Sequence, residues 1–192
     1  MQMGELILGT APTQEPVTTA EAKAHLRVDV SDDDTLIDAL VSAAREAFEE
    51  INGRSLFTTT WQLILDQWPD GETIRLPRPP LQSVTSISYV DTDGNTTVWD
   101  AANYVVEIMR TPGRIYLAYD ASWPTASLRP ASPITITYVS GWATVGAIPQ
   151  RYKAAILLML GHLYENREAV VVGTIVSKLP LAYESLLLMD RV

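Results

Sequence analysis

The chain changes its hydrophobic period twice, and this switch constrains the fold more than any other feature. Both ends repeat apolar residues three or four apart, as a helix does, while the middle third alternates them, as a strand does. Near the start, Thr18-Thr19-Ala20-Glu21 reads as a capping box opening a short helix from Ala20 to about Leu26. Ser31-Asp32-Asp33-Asp34 opens a second helix, with acids where the helix dipole is positive. Leu36, Ile37, Leu40, Val41, Ala44, Phe48 and Ile51 form its apolar face. Asp38, Ser42, Arg45, Glu46 and Glu49 take the other face, and Asn52-Gly53 ends the helix.

The period then shortens. Strands are predicted at Phe57–Asp66, Ile74–Leu76, Ser83–Val90, Thr96–Trp99, Tyr104–Met109, Arg114–Tyr119 and Ile134–Val139. Pro69-Asp70-Gly71 marks a turn, and Asp91-Thr92-Asp93-Gly94-Asn95 a hairpin. Helical spacing returns from about Ile148 to Asn166, with Pro149 suited to a first turn. Residues 154–163 are apolar nearly all round, so this helix is expected to be buried on most sides or to sit at a subunit contact. Val170-Val171-Val172-Gly173 reads as an apolar loop or short strand, and Pro180 starts a last helix to about Met189.

The expected fold class is α+β: a helical bundle from N- and C-terminal helices with an inserted antiparallel β subdomain. Residues 1–15 are expected to form a flexible arm, 16–55 and 148–192 the helical core, and 56–147 the β insertion.

Composition narrows the function. No cysteine is present among the 192 residues, which excludes a disulfide framework or thiolate metal site and fits assembly in a reducing cytoplasm. The start lacks a basic leader, and the longest apolar stretch is about half the ~20 residues a bilayer span needs, so neither secretion nor a membrane is expected. The net charge of −9 argues against tight sequence-independent DNA binding. The charge is also uneven. Residues 1–55 hold 11 acids against 4 bases, and residues 148–192 hold 4 against 5. This gradient is either chance with an acidic helix start, or complementarity between neighbouring subunits.

Convergent catalytic groups are scarce. His25 ends the first helix, and His162 lies on the apolar helix, where a packing role is the better reading. Asp29, Asp32, Asp33 and Asp34 lack the glycine and closing glutamate of a calcium loop, so helix capping is the better reading. Glu49 and Glu50 read as a solvated charged face. Neither a nucleophile elbow nor a phosphate loop appears. No enzyme, metal or cofactor is expected. Trp61, Trp68, Trp99, Trp123 and Trp142 all lie in or near the β region. Packing is the first reading for them, and a sugar-binding platform the second.

Several segments, in order, resemble the head–tail connector (adaptor) proteins of long-tailed bacteriophages and related gene transfer agents. They run from Pro16-Val17-Thr18-Thr19-Ala20-Glu21-Ala22-Lys23-Ala24-His25-Leu26-Arg27 through Asp32-Asp33-Asp34 and Gly53-Arg54 to Thr60-Trp61. The most specific is Leu76-Pro77-Arg78-Pro79-Pro80-Leu81-Gln82-Ser83-Val84-Thr85-Ser86-Ile87-Ser88-Tyr89, with Asp93-Gly94 after it. Ile148-Pro149 then opens a helix ending in Tyr164-Glu165-Asn166-Arg167-Glu168.

The resemblance implies a non-enzymatic ring of about twelve copies beneath a portal protein, at the head–tail junction of a phage-like particle. It further implies a stopper or tail terminator as the next partner, and DNA as passing cargo. Carried onto this chain, the portal-facing segment is Pro180 to Val192, with Leu186, Leu187, Leu188 and Met189 as apolar anchors and Arg191 at the tip. The plainer alternative is a terminal helix folded back on its own subunit. For contacts between sister copies, Ile156, Met159, Leu160, Leu163, Tyr164 and Arg167 are the candidates. Two other classes compete. A carbohydrate- or surface-binding β module predicts a solvent-exposed row of tryptophans. A hydrolase predicts a pocket with His25 or His162 beside a carboxylate.

Overall fold

A computed structural model of the chain describes residues 4–166. The described elements are three α-helices, two short 3-10 helices and eight antiparallel strands, an α+β composition. They divide into two compact units, one of residues 4–12 and 58–142, the other of residues 13–57 and 143–166.

The first unit holds all eight strands: β1 (Glu5–Thr10), β2 (Thr59–Leu65), β3 (Thr73–Arg75), β4 (Leu81–Val90), β5 (Thr96–Val98), β6 (Tyr104–Glu107), β7 (Arg114–Leu117) and β8 (Ile134–Ser140). Five make one sheet in the order β1-β2-β8-β4-β5, and three make another in the order β3-β7-β6. The central strand β8 alternates without a fault. Ile134, Ile136 and Tyr138 are fully buried, while Thr135, Thr137 and Val139 point the other way. Ile136 lies opposite Leu63 of β2 and Ile87 of β4. Each such buried side chain contributes about 1.5–3 kcal/mol. The Tyr138 hydroxyl, pushed to a higher pKa by burial, donates to the Pro77 carbonyl (3.0 Å). Gly113, just before β7, sits so close to β4 that a Cβ there would meet Leu81 Cβ at 2.5 Å.

The seven strands read from alternation are all present, with ends that differ by at most two residues. One strand was not legible. Residues 1–15 are expected to be an arm, yet Glu5–Thr10 is an edge strand paired with β2 from Glu5↔Ile64 to Thr10↔Thr60. Only Leu6 is even half-buried, so no alternating pattern marks it. Pairing with a strand fifty or more residues away holds it.

The second unit holds α1 (Thr19–Leu26), α2 (Asp34–Asn52) and α3 (Gln150–Glu165). The helices α2 and α3 pack together, and α1 touches both. The expected capping box forms in full. Glu21 N–H donates to Thr18 Oγ1 (3.2 Å), and Thr18 N–H to Glu21 Oε2 (2.8 Å). Gly53 closes α2 in the left-handed region (φ 61°) that glycine enters freely. Ile37, Val41, Ala44 and Phe48 are buried as the spacing predicts, and Phe48 meets Tyr152 of α3 at 5.1 Å between ring centroids. Ile51, placed on that face by spacing, is exposed.

Candidate assembly surfaces

The functional question turns on which side chains each unit leaves unsatisfied. In the helical unit, charge does part of the packing. Arg45, expected on the solvated face, is only 7 % exposed. Its Nε donates to Glu15 (2.9 Å) and its Nη1 to Glu49 (2.7 Å). Glu49 in turn accepts from Leu56 N–H (2.6 Å), so it too leaves the solvated face assigned to it. One buried guanidinium therefore ties the segment before α1 and the turn after α2 to the middle of α2. Helical spacing marks the Arg45–Glu49 pair, four residues apart, but cannot reveal Glu15, thirty residues away.

The acidic string at the start of α2 acts otherwise than expected. Asp33, the N-cap residue, makes no side-chain cap hydrogen bond. It accepts instead from the Tyr164 hydroxyl of α3 (2.6 Å), while Asp34 pairs with Lys23 of α1 (2.6 Å). Lys153 of α3 reaches Glu21 at 3.7 Å. The acids thus join helices to one another. No cluster of three metal-ligating side chains exists among the described residues.

Of the residues expected at a subunit contact, Ile156 and Leu160 are fully buried. Met159, Leu163 and Tyr164 are half-buried, as are Leu157 and Leu158. Met159 and Leu163, unlike Ile156 and Leu160, keep part of their surface accessible. Arg167 and the portal-facing candidates Pro180, Leu186, Leu187, Leu188, Met189 and Arg191 lie outside the described residues.

The competing readings find little support. Trp68, Trp99 and Trp123 spend their ring faces on one another, with centroids 5.2–5.6 Å apart, and Tyr89 and Tyr104 complete the cluster. Trp123 Nε1 donates to the Gly71 carbonyl (2.8 Å), and Arg78 lies over Trp61. All five tryptophans are buried or half-buried, so no exposed row of tryptophans exists among the described residues. His25 lies against Gly161, and His162 neighbours Asn166, with no carboxylate bonded to either ring among the described residues. No described helix is long and apolar enough to cross a membrane.

Spacing did not single out the exposed apolar residues of the β unit: Val98, Val105, Ile108, Met109 and Tyr119. In Tyr104-Val105-Val106 every residue suits a strand interior, and only the register assigns Val105 outward.

Chains in solved structures of gene transfer agent particles share this fold. The chain matches a component of "Neck of empty GTA particle computed with C6 symmetry" at 24% identity, covering 95% of this chain and 94% of that one, with TM-score 0.77. It matches a chain of "Virion of native gene transfer agent (GTA) particle" at 23% identity, covering 97% and 94%, with TM-score 0.80. A third match is to "Neck of native GTA particle computed with C12 symmetry", at 23% identity, covering 98% and 94%, with TM-score 0.77. More particularly, residues 17–93 match the family model of the phage gp6-like head-tail connector proteins, the family that the sequence resembles. No curated protein matches the chain.

Proposed function

We propose that this chain is a structural connector subunit, one of a ring of copies at the head–tail junction of a phage-like particle. The observation that carries it is the family match over residues 17–93, which runs from α1 through β4 and so draws on both units. The likeness in fold to gene transfer agent neck components, over nearly the whole chain, supports the same reading. Twelve copies accord with the C12 symmetry of one of those necks. No chemical step is assigned to the chain.

In this reading residues 16–55 and 148–192 form the adaptor core, with 56–147 as the β insertion. The core docks beneath a portal protein through residues 180–192. Met159 and Leu163 face a sister copy, and a stopper or tail terminator takes the far side. DNA passes through the ring. A net-acidic wall would let it slide, because like charges repel phosphates.

The test is co-assembly. The full chain mixed with its cognate portal should give a twelvefold ring by cryo-electron microscopy. Deleting residues 180–192 should abolish docking while circular dichroism stays unchanged. Undiminished docking of that deletion would remove the anchor, and no ring with the intact chain would remove the connector reading.

A further inference from the structure

The outward face of the three-stranded sheet carries charge that its own unit does not neutralise. Its inward face sends Ile74, Ile115 and Val106 to the core. Alternation then turns Arg75, Arg114 and Glu107 outward in one cross-strand row, and Thr73, Tyr116 and Val105 in the next. Arg75 and Arg114 are direct partners in register, a like-charge pairing that disfavours a bare sheet. Neither forms an ion pair among the described residues. Arg114 donates from Nη1 to the Tyr116 hydroxyl (3.3 Å), and its buried Nε has no partner. Glu107 is turned to its own hairpin, accepting from Met109 N–H (2.9 Å). Apolar surface flanks the row, with Val105 56 % and Met109 88 % exposed.

The helical unit holds a surface of opposite sign and similar mixture. Between α1 and α2, Asp29 and Asp32 are exposed around Val30, itself 62 % exposed. Neither carboxylate is bonded among the described residues.

We propose that the outward face of the three-stranded sheet docks the 29–32 loop of a second copy. Arg75 and Arg114 take its carboxylates, and Val105 and Met109 meet Val30. A closed ring needs two different, complementary patches on each subunit, and these are two such patches. The inference rests on the ring reading above. A DNA phosphate would match the arginines alone, whereas the loop matches both the charge and the apolar flank.

The absence of cysteine makes the test direct. Full-length Val30→Cys and Val105→Cys chains, mixed under mild oxidation, should give a mixed disulfide dimer. Its yield should exceed that of Val30→Cys mixed with a Val98→Cys control by roughly tenfold. Arg75→Glu with Arg114→Glu on the Val105→Cys chain should lower the yield by a similar factor. Asp29→Arg with Asp32→Arg on its partner should restore it. Arg75→Gln with Arg114→Gln serves where charge reversal perturbs the sheet. A yield no higher than the control, or one indifferent to the arginines, overturns the proposal. Retention of a short DNA duplex through Arg75 and Arg114, without the cross-link, gives the face to phosphates and also overturns it. A ring on the portal with no cross-link sinks this contact alone and leaves the connector reading standing.

Discussion

The β unit buries an apolar centre that its own strands complete, whereas the helical unit ties three helices together partly with charge. In the β unit eleven buried side chains from both sheets and the segments between them form one cluster, and a stacked tryptophan group joins it. In the helical unit thirteen apolar side chains are buried as well, and Arg45, Lys23, Tyr164 and Lys153 add polar ties between segments. The helical unit also keeps half-exposed leucines on α3.

Substitutions can break or sharpen this contrast. The largest effect should come from Trp99→Ala, since truncating a buried tryptophan costs about 3–5 kcal/mol. Urea unfolding followed by fluorescence of the remaining tryptophans should show a much lower midpoint. A loss below about 1 kcal/mol would mean that the aromatic group is ornamental to the β core. Next comes Arg45→Ala. Removing one side of a buried ion pair costs about 3 kcal/mol, the lower end of the usual range, because Glu15 and Glu46 are partly hydrated. Amide exchange should speed up in α2 and around Leu56. Unchanged exchange there would show that apolar packing alone holds the helical unit.

Thr18→Ala removes half of the capping box and should cost about 1 kcal/mol, read as faster exchange at the start of α1. The smallest effect is a pH dependence of the same turn. The Glu21 carboxyl sits below its ordinary 4.5, chiefly because the Thr18 backbone N–H bonds it. A depressed pKa contributes stability that is present above the ordinary value and lost as pH falls through the folded one. Protection of α1 should therefore fall on acidification below pH 4.5, and Glu21→Gln should abolish that dependence. An identical pH profile in Glu21→Gln would assign the effect to another group.

The legible parts of the molecule are those whose cause is local. The capping box, the Gly53 stop and the turn at Gly94 each depend on residues within four positions of one another. The seven alternating strands follow from a period that a short window reveals. The candidate contact residues show where local spacing stops. Helical spacing put Ile156, Met159, Leu160 and Leu163 together, but it cannot say which side α2 covers. Packing buried Ile156 and Leu160 and left Met159 and Leu163 partly open.

By itself the sequence determined where the three described helices and seven of the eight described strands lie, how α1 is capped and where α2 stops, and that the composition is α+β. Those outcomes rest on backbone preferences and hydrophobic period, which act over a few residues. Only the tertiary structure decided that Glu5–Thr10 joins a sheet, that Arg45 is buried, and that Arg75 and Arg114 stand side by side facing outward. Each of these joins segments far apart along the chain. Register and burial come into being only when such segments meet.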